Sequence, residues 1–274
     1  VQLLVEAGAD VNVAEQSREQ TALMWATAQG HVEVAHLLID AGADLEARSK
    51  LRSRLMFADA SNGGQFDQGI MEQLGGYTAL LFAARSGDIE MARLFLSHEA
   101  DIEAVAGNRT SPLVVATHSG HGDLTQLLLE FGADANTIGA GYTALHAAIL
   151  RGDLEAVNAL LDHGADVEAR LLRPNSVQRA SEDWVLKAPL VGATPYWIAA
   201  SFREADIMQA LAKAGADPSL TNEGQMSRPR ARADRNSYTS TVVGGFESTV
   251  QAAVKGDSTR GRYYVQANPN PVGE

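Results

Sequence analysis

The sequence predicts an all-α solenoid of stacked helix pairs with hairpin loops, interrupted by two long loop insertions. Three observations predict it. Five segments align on one another: TALMWATAQGH from Thr21, TALLFAARSGD from Thr78, SPLVVATHSGH from Ser111, TALHAAILRGD from Thr143 and TPYWIAASFRE from Thr194. About twenty residues after each stands a second block, AGADLEA, HEADIEA, FGADANT, HGADVEA or AGADPSL, and an orphan copy, EAGADVN, starts at Glu6. The spacing is regular, with 33 residues from Thr78 to Ser111 and 32 from Ser111 to Thr143, a period at which each repeat is one supersecondary unit.

Each element follows from its residues. Thr or Ser, with Ala or Pro next, opens a short helix, because the hydroxyl satisfies a backbone donor left unpaired at a helix start and Pro fits the first turn. Leu23, Leu80, Leu113 and Leu145, with the small residues further along each helix, pack that helix on its neighbours. Gly30, Gly87, Gly120 and Gly152 end it, since glycine accepts the left-handed conformation of a helix stop. The fifth repeat has Arg203 at that place, which weakens the stop. A second helix follows with apolar residues at helical spacing, such as Val34, Leu37 and Leu38, or Leu124, Leu127 and Leu128. The glycine of GAD stops it. One helix pair cannot bury its own apolar faces, so stability is expected to run along the stack and to fray at its ends.

These residues resemble the ankyrin-repeat family over residues 1 to about 225, because both blocks recur at matched spacing. The resemblance implies five helix pairs over residues 16 to 225 without an extended sheet, after a partial N-terminal repeat. It assigns residues 1–225 to an ankyrin-repeat domain and residues 226–274 to a polar, basic tail. The chain begins at Val1, inside the second helix of a repeat, so a true N-terminus with any targeting signal is expected to lie upstream. The Ala-rich character and variable GAD blocks are similar to bacterial ankyrin arrays.

Thr21 to Thr78 is 57 residues and Thr143 to Thr194 is 51, so roughly 24 and 18 residues are added to a period. Both insertions fall in the loop that projects as a hairpin finger in ankyrin proteins. The first, about 50–74, opens with Lys50, Arg52 and Arg54 and ends in IMEQL, read as a helical turn; the second, about 172–191, holds Arg173, Arg179, Trp184 and Lys187. Loops of this length are usually functional or disordered. The tail reads as mostly disordered or as a degenerate repeat, and a reading-frame error would look the same.

Composition narrows the function. The net charge is −12, yet the two insertion regions and the tail hold fifteen of the 22 basic groups and nine of the 34 acidic ones, which leaves about −18 on the repeat body. So acidic a body repels phosphate backbones and anionic lipids, which argues against nucleic acid or a membrane surface as partner. No cysteine is present, which removes disulfides, thiolate metal sites and cysteine nucleophiles. No apolar run reaches the roughly 18 residues of a membrane helix. No Walker loop, GxSxG or HExxH motif occurs, and the glycines at 139 and 141 read as a hairpin turn. The GAD aspartates brace loops, and a solenoid spaces equivalent carboxylates a repeat apart, unlike a glycosidase pair. His31, His121 and His146 have structural roles in the resembled family, and His118 with His121 lacks further ligands for zinc. Neither cofactor nor metal is expected.

The resemblance further implies a non-catalytic, monomeric scaffold that binds a protein or peptide on its concave face, with a cationic or partly apolar partner. A regulatory or targeting module of a longer polypeptide stands as the alternative. The family's contact positions are the residue before the opening Thr and the two before the turn glycine. They nominate Tyr77, Arg85, His118, Tyr142, Leu150, Arg151 and Phe202, with Trp184 of the second finger added for its large amphipathic ring. The partner is expected across repeats two to four, with the fingers adding contacts.

Overall fold

Each repeat opens on a residue that caps its own helix. Thr21, Thr78, Ser111, Thr143 and Thr194 are extended, and their hydroxyls accept from the backbone N–H of Met24, Leu81, Val114, His146 and Trp197. The computed structural model describes residues 1–57, 69–174, 186 and 190–220. After a short helix α1 (Gln2–Glu6), its helices are α2 (Ala22–Ala28), α3 (Val32–Asp40), α4 (Ala79–Ser86), α5 (Ile89–Ser97), α6 (Pro112–Ser119) and α7 (Gly122–Glu130). They continue with α8 (Ala144–Arg151), α9 (Leu154–Asp162), α10 (Pro195–Phe202) and α11 (Ala205–Lys213). Five helix pairs therefore stand where the five aligned segments predict them.

The chain divides into two compact units, residues 1–55 with 71–140 and residues 56–70 with 141–274. In the first, the opening helices α2, α4 and α6 pack in order, and α3, α5 and α7 form a second row. Leu23, Leu80, Leu81, Leu113, Leu124 and Phe95 are buried there, and each such side chain stabilises the fold by about 1.5–3 kcal/mol. In the second, α8 packs on α10 and α9 on α11 over Leu145, Ile149, Leu160, Trp197 and Leu211. We call the opening helix of each pair inner and the following one outer.

The stops differ in strain. Gly87 takes the left-handed conformation at φ 76°, and the imidazole of His121 lies where its Cβ would be. His121 Nε2 is 3.1 Å from the Arg85 carbonyl oxygen, so the histidine braces the turn of the preceding repeat. Arg203 ends α10 at φ 59° and ψ 33°. The stop therefore forms without glycine, against the cost that a Cβ brings to this conformation.

The GAD loops form a ladder. Each aspartate accepts from a backbone N–H two residues on, as in Asp44 to Glu46 at 2.8 Å and Asp101 to Glu103 at 2.9 Å. The residue that donates there extends its side chain to the next repeat: Glu46 accepts from Asp101 N–H and Glu103 from Asp134 N–H, both at 2.8 Å. Glu168 and Asp217 repeat the pattern in the second unit at 2.6 Å. Glu carries each of these three rungs, a recurrence the GAD blocks display in sequence.

The first insertion corrects one expectation. Residues 69–74, including IMEQL, are a strand β2 (Gly69–Leu74) that pairs with β1 (Arg52–Phe57) in a two-stranded sheet. A five-residue segment is too short for its apolar pattern to separate a strand from one helical turn, and the pairing across the insertion decides. Its base is tied to the repeat by Ser49 N–H to the Tyr77 carbonyl and Gly76 N–H to the Ser49 carbonyl, both 3.0 Å. The base of the second insertion is tied likewise, with Leu171 N–H to the Ala193 carbonyl at 3.0 Å and Gly192 N–H to the Leu171 carbonyl at 2.7 Å. Residues 175–185, 187–189 and the tail from 221 lie outside the described residues.

Candidate binding surface

Helical periodicity and the turn positions fix which inner-helix side chains have the freedom to bind. Four places recur relative to the opening Thr or Ser: the residue before it, the fourth after it, and the seventh and eighth after it. In the first unit much of this set is accessible. Ala28, Gln29, Arg85 and Ser86 are exposed, Tyr77, His118 and Ser119 are half-buried, and Thr110 is buried. At the fourth place Trp25 is 47% exposed and Phe82 half-buried, while Val115 is 7% exposed.

Tyr77 joins the hairpin to the inner row. Its N–H donates to Ser49 Oγ at 3.0 Å, and its ring lies 5.4 Å from Phe82, tilted by 54°. Burial pushes its hydroxyl pKa up, and the neighbouring charge of Arg85 opposes that shift. Tyr77, Phe82 and Arg85 thus share one patch, with Arg85 one turn after Phe82 on the same helix face. Arg85 makes no ion pair among the described residues. Sequence reasoning missed Trp25 and Phe82. The available signal was a large aromatic at a place where the fourth repeat fits Ala147.

The second unit corrects three of the nominated residues. Tyr142, Leu150 and Phe202 are 6%, 1% and 4% exposed, so their side chains belong to the interior. Ser201 and Ala193 at equivalent places are buried too. Small Ser201 and Ala193 are as buried as Leu150, so these places are sealed by what packs over them and not by the bulk of their own side chains. Among the described residues nominated there, Arg151 alone keeps partial exposure, and partial burial lowers its pKa against the pull of Asp153. Trp184 lies outside the described residues. The same unit buries Leu171, Leu186 and Leu190 from the inserted segment and its base.

His146 is the most perturbed histidine. It is fully buried and completes a capping box with Thr143, whose N–H donates to its Nδ1 at 3.1 Å. Burial depresses its pKa to about 4, partly offset by the backbones of Ala169 and Ala193 and by Asp166. Its Nε2 has no partner in hydrogen-bonding geometry, so those backbone groups act at longer range. The neutral ring is a framework element. Among the described residues no three His, Asp or Glu side chains gather as a metal site. No described helix is long and apolar enough to cross a membrane.

Comparison with known proteins agrees with this geometry. A family model described as ankyrin repeats (3 copies) matches residues 1–106, 55–139, 80–171 and 140–222. Among similar proteins, one from Oryza sativa subsp. japonica, named a probable E3 ubiquitin-protein ligase, is 34% identical over 178 residues, which is 62% of this chain and 30% of that protein. An ankyrin repeat and KH domain-containing protein of Caenorhabditis elegans is 29% identical over 153 residues, 55% of this chain and 5% of that one. A B-cell lymphoma 3 protein homolog of Mus musculus is 37% identical over 110 residues, 39% of this chain and 24% of that one. The matched segments are thus less than a third of each relative's length.

Proposed function

Because this chain belongs to the ankyrin-repeat family, we propose that it is a non-catalytic scaffold that binds a protein or peptide through its inner-helix surfaces. The observation that carries the reading is the first unit's inner row. Trp25, Tyr77, Phe82 and Arg85 hold large or charged side chains at positions that the helix framework leaves partly accessible. Trp, Tyr and Arg are the residue types that dominate binding energy at interfaces. They sit on, or directly before, helices fixed by caps and turn glycines, so little ordering cost opposes binding.

The regular spacing of carboxylates along the GAD ladder supports the non-catalytic part, since each is engaged in its own loop or the next. The acidic body argues against nucleic acid, and the chain is proposed to act as a monomer. Residues 1–225 are proposed as the repeat domain and 226–274 as a separate tail. A second reading is favoured by coverage: relatives such as the rice ligase extend well past the matched segment. In that reading the repeats recruit a partner for an activity that resides elsewhere in a longer polypeptide.

Chemical crosslinking with the intact chain, compared with a variant carrying Trp25, Tyr77 and Arg85 all as Ala, tests the scaffold. Partners captured by the first and lost by the second support it. Turnover of a small-molecule substrate by the purified chain would sink the non-catalytic reading.

A further inference from the structure

We propose that the inner face of the first unit, built on Trp25, Tyr77, Phe82 and Arg85, docks an extended acidic peptide segment that carries aromatic or branched apolar side chains. This rests on the scaffold reading and names the partner's chemistry.

The charge distribution points there. The inner helices ALMWATA, ALLFAARS and PLVVATHS contain no Asp or Glu, and their ionisable side chains are Arg85 and His118. Every outer helix of the same unit carries carboxylates, Glu33, Glu90 and Asp123 among them. A chain with net charge −12 therefore keeps one row free of carboxylates and places a cation in it. A basic partner would be drawn to the outer helices and loops and would meet Arg85 unfavourably. The expectation of a cationic or partly apolar partner thereby becomes, for this face, an acidic and partly apolar one.

The apolar half of the surface has the same address. Trp25 and Phe82 hold the same place in successive repeats, on helices that pack against each other. Trp25 is 47% exposed, and a buried indole in the complex would remove a large apolar area from water. The Arg85 guanidinium can fork two parallel hydrogen bonds to one carboxylate, a geometry that lysine cannot offer. The chain's overall negative charge slows an acidic segment's approach, but it is screened beyond about 8 Å at physiological salt, whereas Arg85 acts at contact.

The test is selection from a random-peptide library on the immobilised full chain, followed by fluorescence anisotropy with the enriched peptides. Enriched peptides are expected to combine Asp or Glu with Trp, Phe or Leu. Their affinity should fall roughly tenfold or more in R85E and in W25A. R85K should lose less than R85E, which separates charge from shape. Both positions are accessible, so thermal melting should stay unchanged, and any variant with a lowered melt is replaced by Arg85→Gln or Trp25→Leu. Enriched peptides that are basic, or that bind R85E and W25A as tightly as the parent, overturn this inference and leave the scaffold reading standing. Failure of the library to yield any binder also overturns it. If crosslinking then captures no partner either, the scaffold reading falls with it.

Discussion

Arg85 and Leu150 hold the same register position, seven residues after the opening Thr of their repeats, yet one is exposed and the other 1% exposed. The fourth position behaves alike, with Trp25 47% exposed in the first unit and Ala147 and Ile198 fully buried in the second. Equivalent places in a repeat are therefore not equivalent surfaces. In the repeats opened by Thr21 and Thr78 these places all meet solvent at least in part, whereas in the second unit most of them are taken into interior packing. A contact map transferred from a family by position alone would treat both as binding sites.

The difference can be broken most directly by paired substitutions. Leu150→Ala should destabilise by about 2–5 kcal/mol, the range for a buried leucine that leaves a cavity. Arg85→Ala at the same register position should stay within about 0.5 kcal/mol. Urea unfolding followed by far-ultraviolet circular dichroism gives both values, and equal effects would erase the distinction between the units.

A pH titration sharpens the picture of the second unit as the sealed one. His146 is neutral when folded, with its pKa depressed to about 4 by burial. The unfolded chain binds that proton near its ordinary value of about 6.5. Stability from this residue is thus fully present above 6.5 and is lost as pH falls toward 4, because the unfolded state binds more protons across that window. The loss should amount to a few kcal/mol at most. Urea midpoints measured across the window should fall for the parent and fall less for His146→Gln.

Two turn substitutions give smaller effects of opposite sign. Gly87→Ala in the first unit must accept φ 76° and displace His121 from the Arg85 carbonyl. It should cost about 2 kcal/mol from the left-handed conformation and the weakened hydrogen bond. Arg203→Gly in the second unit, where φ is already 59°, should stabilise by up to about 1 kcal/mol. A melting-temperature comparison reads both, and a loss in Arg203→Gly would show that the arginine contributes more than its backbone strain costs.

Local chemistry made much of the fold legible. Thr78, Ser111 and Thr143 announce helix starts because a hydroxyl can reach a donor three residues on, and Gly87, Gly120 and Gly152 announce stops because they lack a Cβ. Both causes act within a few residues of chain. IMEQL was not legible, since a strand's partner lies across an insertion and its hydrogen bonds are nonlocal. Of the candidate site, Tyr77 and Arg85 could be nominated from position, whereas Trp25 and Phe82 lay outside the positions borrowed from the family.

The sequence by itself determined the repeat, its caps and stops, and the absence of carboxylates from the inner helices. Only the tertiary structure decided that Tyr142, Leu150 and Phe202 are interior while Trp25 and Arg85 meet water. The physical reason is that caps and turns are settled by neighbours along the chain, while exposure depends on which distant segments come to pack on a face.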